Sequence, residues 1–347
     1  MAKWPGDREC LQCGRIAFCL LLVLGIAHQA AMGQESLRPG SRLDLKSIPF
    51  KLVYETLIET DGRENWELVL INADGSGRVN LTRTGAIGEM YPHVSPGGTK
   101  VCFVADEGTG RDKVRSVYYM NIDGSDRVKV AHNARQPCWG PDGRKIAYLK
   151  GEYERYTTRD YGTKGVVLYD LSTGSHTVHP NQKNLYHLYN ICWSPDARWF
   201  LATVHGGMGY DHAVLAFEAN GPNIIDLTPC AVTGCRPDLS PDGQRVTWGK
   251  TDWDLCVGTI DLTAAKPQVT DVRRIVTCDK EHEVYHTDFS PDGRYIAFSY
   301  GPKANEQVGE KAPGWNICVT DLAGHWVQIT TDGHHNKEPD WVPNPKN

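Results

Sequence analysis

One phrase recurs along this chain at a nearly constant interval, and it limits the fold more than any other feature. It reads HVSPGGTKVCFVA from residue 93, CWGPDGRKIAYLK from 138, CWSPDARWFLATV from 192, DLSPDGQRVTWGK from 238 and DFSPDGRYIAFSY from 288, with a truncated DWVPNP at 340. The shared proline stands at Pro96, Pro141, Pro195, Pro241, Pro291 and Pro343, giving intervals of 45, 54, 46, 50 and 52 residues. Repeats of this length are the mark of propeller blades.

Each unit has the same grammar. A short strand runs into an S-P-D-G turn, in which proline sets φ, aspartate bonds the backbone beyond it and glycine takes the positive φ. An alternating apolar strand follows, then a third strand such as SVYYMNIDG or WNICVTDLAG, then a brief fourth such as RVKVA or WVQIT. The first unit lacks its opening strand, while the last phrase, KEPDWVP, is an opening strand with nothing after it. FKLVYETLI, WELVLINADG and RVNLT therefore belong to a composite first blade whose innermost strand is Lys337 to Val342. The expected fold is all-β: a six-bladed β-propeller of four-stranded antiparallel blades over residues 50–347. The C-terminal innermost strand closes it against the N-terminal outer strands, which removes exposed sheet edges.

These phrases, with the terminal TTDGHHNKEPDW, resemble the TolB-type six-bladed propeller across residues 50–347. Gly97 stands where that pattern has aspartate, Ala197 where it has the turn glycine, and Asn344 follows Pro343. The resemblance implies the fold and leaves function open, because such propellers serve many roles. TolB also carries an N-terminal α/β domain for which the lead before residue 50 is too short, so the Tol-system role is not carried over.

The chain opens with Lys3, Arg8 and Arg15 ahead of the apolar run IAFCLLLVLGIA, followed by AMGQ with Ala31 and Gly33 at signal-peptidase positions. Residues 1–33 are expected to be a cleaved signal peptide, too short in its apolar run to span a bilayer, and residues 34–49 a loose lead. The product is expected to be exported, periplasmic or extracellular, with no stable membrane span and monomeric. Removing three bases and two acids from the net charge of −5 leaves about −6 with no basic run, which argues against nucleic acid. Eight of the 11 cysteines remain; Cys230 with Cys235 is the best candidate disulfide, while Cys102 and Cys318 sit in apolar strands as free thiols.

HEVYH, residues 282–286, matches the zinc-protease signature, whose histidines share a metal only on a helix. The repeat places it in a strand, where residues four apart are about 13 Å apart, so the motif is read as a coincidence. A better site follows from register, because equivalent positions of all blades converge on one channel. Four before the shared serine stand Tyr91, Gln136, Asn190, Arg236, His286 and Glu338; two before it stand His93, Cys138, Cys192, Asp238, Asp288 and Asp340. The first ring is polar throughout. The second could hold a divalent cation, with His93, Asp238, His286, Asp288, His335 and Asp340 as candidate ligands, or its aspartates could bond the backbone of the next blade. His334 and His335 precede the closing strand.

There is no hydrolase elbow, phosphate loop or dinucleotide fingerprint. The DGSG and DGSD turns at 74 and 123 resemble calcium loops only superficially. An insertion in the third blade, KGEYERYTTRDYGTKG, offers Tyr153, Tyr156, Arg159 and Tyr161 as a recognition patch. A second, GPKANEQVGEKAPG, lies in the sixth. The expected function is a non-catalytic scaffold with no firm cofactor, binding a protein or glycan partner at the channel mouth. The alternative is a metal-dependent lyase of oligogalacturonate type, whose histidines would meet around one ion.

Overall fold

The computed structural model describes residues 43–60, 62–250, 253–303 and 311–344. The signal-peptide reading and half of the sixth-blade insertion, residues 304–310, lie outside them. The described residues form six four-stranded antiparallel sheets. In five of them the strands follow sequence order outward from the axis, as in Gly88–Val94, Lys100–Glu107, Val114–Asn121 and Val128–His132. The sixth is the composite blade. Its innermost strand, His335–Val342, pairs with Lys51–Thr60, setting Lys51 opposite Val342, Glu55 opposite Lys337 and Leu57 opposite His335. The ring is closed by the two ends of the repeat array, as the sequence implied.

The S-P-D-G turn is stabilised within itself. The Ser290 hydroxyl accepts from the Tyr295 amide (2.9 Å) and donates to Asp292 (2.7 Å), whose carboxylate accepts from the Arg294 amide at 3.0 Å. Ser194 and Ser240 repeat the pattern. Gly98, Gly143, Gly243 and Gly293 take φ of 66° to 69° in these turns, and Ala197 takes 60° without being glycine. At Gly98 a Cβ would lie 1.9 Å from the Pro343 carbonyl, so the turn beside the closing strand admits no side chain.

The core lies between blades as well as within them. Leu201 and Val214 of the fourth blade, for example, pack with Val246, the fully buried Trp248 and Cys256 of the fifth. At about 25 cal/mol per Å² of apolar surface removed from water, each such side chain contributes about 1.5–3 kcal/mol. Since no blade can bury both its faces alone, the ring folds as one body.

The N-terminal lead departs from expectation. From Leu43 it is packed, not loose: Leu45–Ser47 form a 3-10 turn capped by Asp44, Ile48 is buried, and Phe50 meets Trp341 edge-on at 6.3 Å. Apolar Leu43, Leu45, Ile48 and Phe50 cover the closing seam. The cysteine expectation also needs correction. All eight described cysteines are free thiols. Cys235 is buried in the innermost strand Gly234–Leu239, whereas Cys230 ends a separate 3-10 turn, Thr228–Cys230, so the loop between them does not bring them into a bond.

Candidate functional site at the channel mouth

In every innermost strand the ladder slips at the same place. The shifts fall between Met90 and His93, Arg135 and Cys138, Tyr189 and Cys192, Cys235 and Asp238, Tyr285 and Asp288, and opposite Val53 and Glu55 in the closing strand. The residue in each slip has positive φ: Tyr91 53°, Gln136 43°, Asn190 51°, Arg236 57°, His286 52° and Glu338 51°. None is glycine, so each carries local strain that the closed ring must hold. Such bulges re-aim side chains. Pro92, Pro137, Pro237 and Pro339 follow four of them and bring no N–H to be left unpaired.

Tyr91, Gln136, Asn190, His286 and Glu338 line the central channel, and the buried Arg236 guanidinium joins them. It reaches Glu338 Oε1 at 3.1 Å, Tyr91 Oη at 3.4 Å and Asn190 Oδ1 at 3.5 Å. Three tyrosine rings, of Tyr91, Tyr189 and Tyr285, stand 5.8, 5.5 and 5.3 Å from it. Buried charge of this kind is tolerated only when so enclosed. Gln136 accepts from the Asn190 amide through Oε1.

His286 completes the network as a neutral ring. Burial, then the charges of Arg236 and Lys337, hold its imidazole well below the usual histidine range. Its Nε2 lies 2.7 Å from Glu338 Oε1 and its Nδ1 3.2 Å from the Ser299 hydroxyl, whose oxygen accepts from the Glu338 amide at 3.1 Å. Glu338 pulls the other way, but its charge is already shared with Arg236. The ring thus stands between the Glu338 carboxylate of the closing strand and the Ser299 hydroxyl of its own blade.

The second ring stitches each blade to the next. Asp340 accepts from the Val94 amide (3.0 Å), Asp238 from Phe289 (2.8 Å) and Asp288 from Trp341 (2.9 Å), while His93 Nδ1 meets the Trp139 amide at 3.4 Å. Cys138 and Cys192 fill the remaining two positions. Burial raises all three carboxyls, Asp238 to about 6, Asp340 and Asp288 well above the usual range, Asp288 also through the neighbouring Asp340 and Asp238 charges. Burial pushes His93 down to about 4. These are groups arranged to bond backbone, the second of the two readings the sequence allowed.

The proposed metal set is not assembled. Among the described residues no three His, Cys, Asp or Glu side chains group so as to hold an ion. His335 accepts the Ala312 amide at Nδ1 (2.9 Å), and half-buried His334 stands in the preceding loop. HEVYH lies in the strand His282–Phe289, with His282 bonded to Asp279 at 2.8 Å, away from the buried His286. Asp74 and Asp123 bond Ser76 and Ser125 in turns of their own.

The third-blade insertion folds inward. Tyr156 bonds Asp106 at 2.5 Å, Tyr161 packs on His205 at 4.5 Å between ring centres, Arg159 offers its carbonyl to Arg135 at 3.2 Å, and Tyr153 is exposed. The sequence reading missed Asp160, which crosses the mouth to Tyr91 and Arg236 at 2.8 Å each. It also missed buried Arg135 and the buried Asp106–Arg115 pair (2.7 Å). Their signal was charge inside otherwise apolar strands. The channel leaves about 70 Å³ of room, against roughly 300 Å³ where small-molecule pockets begin. A larger ligand must engage the mouth.

The fold and site define a six-bladed β-propeller of TolB type. TolB from Acinetobacter baumannii aligns with a TM-score of 0.63 at 16% identity, over 85% of this chain and 67% of that one. A protein of Agrobacterium tumefaciens assigned as TolB aligns at 0.58 and 16%, over 85% and 99%. An uncharacterised protein of Agrobacterium fabrum is 32% identical over 90 residues, a match spanning 23% of this chain and 30% of that relative. No family model matches. Likeness at this level of identity defines the fold alone. No helix among the described residues is long and apolar enough to cross a membrane.

Proposed function

We propose that this chain is an exported, non-catalytic propeller scaffold that binds a protein or glycan partner at its channel mouth and on the loops around it. The observation that carries the reading is the ring of six left-handed residues, which aims a buried arginine and five other side chains at one mouth. Strain repeated six times around one opening is what a preorganised recognition surface requires. The scattered histidines give the lyase alternative no support, and a channel of about 70 Å³ favours surface engagement over an enclosed substrate. Export rests on the leader read in residues 1–33.

The test is capture from the exported fraction on the immobilised mature protein, repeated with Tyr153→Ala and Tyr161→Ala together in the third-blade insertion and with Asp142→Ala at the G-P-D-G turn of the same blade. A partner lost with the tyrosine substitutions and kept with Asp142→Ala supports the reading; equal retention overturns it. Assays on acidic oligosaccharides with added manganese, calcium or zinc should show no cleavage, and turnover dependent on metal would restore the lyase.

A further inference from the structure

The third-blade insertion is held as a receptor holds a peptide. Buried Arg135 donates from its two terminal nitrogens to the backbone carbonyls of Thr157 (2.8 Å) and Arg159 (3.2 Å). Asp160 then places its carboxylate between Tyr91 of the second blade and Arg236 of the fifth. Four consecutive residues are thus gripped by two carbonyl contacts and two carboxylate contacts, all from residues at most 7% exposed.

The fit is incomplete. Both the Tyr91 hydroxyl and the Arg236 guanidinium converge on Asp160 Oδ2, while Oδ1 is buried without a hydrogen bond. Gln136 Nε2 in the channel wall and Arg135 Nε are likewise buried donors without an acceptor, in residues 5% and 2% exposed. Arginine prefers to engage a carboxylate through both oxygens, and buried unpaired donors are costly. Asp160 therefore fills this seat without satisfying it.

We propose that Arg236, Tyr91, Gln136 and Arg135 form a subsite for an acidic peptide, and that Thr157–Asp160 is its built-in occupant, displaced when an Asp or Glu side chain of a protein partner takes the carboxylate position. The proposal rests on the mouth-binding reading and specifies its ligand chemistry. A peptide is favoured over an acidic sugar because the seat is already filled by a stretch of polypeptide that turns at Asp160 and Tyr161, with two carbonyls and a carboxylate offered from neighbouring residues. Tethering gives the internal segment an effective concentration on the order of millimolar, so an outside peptide binds weakly until the segment is released.

The experiment uses the full mature chain and a capped hexapeptide copying residues 157–162, TTRDYG, with its Asp→Asn counterpart as control. By titration calorimetry the Asp160→Ala protein should bind the acidic peptide at least tenfold more tightly than the native protein does, and the control peptide at least tenfold more weakly than the acidic one. Equal affinity of both proteins for the acidic peptide, or no binding to Asp160→Ala, overturns the proposal. Should Asp160→Ala fail to fold, hydrogen exchange on the native protein decides: saturating peptide must raise exchange at residues 157–161, and unchanged exchange overturns it. Digalacturonate that binds where the peptide does not would also overturn the peptide assignment. A partner captured through the insertion tyrosines Tyr153 and Tyr161, with no response to the peptide, leaves the general reading standing and removes only this one.

Discussion

Lys337 and Glu55 face each other across the seam that closes the ring, with Nζ 3.5 Å from Oε1 and both side chains fully buried. The ammonium also lies 4.7 Å over the Trp66 ring, and the other Glu55 oxygen accepts the Tyr91 amide at 2.8 Å. One ion pair thus ties the last strand to the first and reaches the second blade.

Removing one member should strand the other charge in the core. Lys337→Met is expected to destabilise by about 3–5 kcal/mol, and Lys337→Met with Glu55→Gln to recover most of that loss, since Gln keeps an acceptor for Tyr91. Denaturant unfolding of the four proteins of the cycle measures it. Equal loss in the single and double variants would show that the charges do not act as a pair.

Ala197 is the odd turn residue, holding φ of 60° where other repeats use glycine. A left-handed alanine costs about 1–2 kcal/mol, partly offset by the extra freedom glycine gives the unfolded chain. Ala197→Gly should therefore stabilise by about 0.5–1 kcal/mol, seen as a higher denaturant midpoint at unchanged slope. A lower midpoint would mean that the turn does not carry this strain.

The aspartates of the second ring make stability depend on pH in a defined direction. Asp288 is raised above the ordinary carboxyl range by burial and by Asp340 and Asp238, and Asp238 is raised to about 6. A raised folded pKa means stability is fully present below the unfolded value of about 3.9 and is lost as pH climbs through the folded one. Asp288→Asn keeps an acceptor for the Trp341 amide and removes the charge. It should gain about 1–2 kcal/mol over the native protein at pH 7.5 and nothing at pH 4. Equal effects at both values would remove the buried charge as the cause.

The repeat was legible because its chemistry is local: Ser290, Asp292 and the glycine between Asp292 and Arg294 settle their turn among themselves, wherever the blade lies. Register then placed Tyr91, Gln136, Asn190, Arg236, His286 and Glu338 on one ring from the sequence alone. Their left-handed bulges were not legible, since a bulge is a relation between two strands and leaves only a following proline as a trace. Asp160 was hidden for the same reason, its position being set by Arg135, Tyr91 and Arg236, residues from 25 to 76 positions away. Composition showed histidines and carboxylates near the axis but not that Asp238, Asp288, Asp340 and His335 accept from backbone amides of other strands and loops.

His286 supplies the final test, because a buried neutral ring set between Glu338 and Ser299 behaves differently from a metal ligand. Its folded pKa is held well below 6.5 by burial, Arg236 and Lys337, so its contribution is present above the unfolded value and is lost as pH falls below it. Its imidazole resonances should not titrate between pH 8 and 5.5, and a chelator should leave the unfolding midpoint unchanged. His286→Asn should destabilise by about 1–3 kcal/mol, the cost of unpairing Glu338 and Ser299. A titration step for His286 near pH 6.5, or a midpoint that drops on chelation and returns with added zinc, would show instead that the ring has a lone pair available.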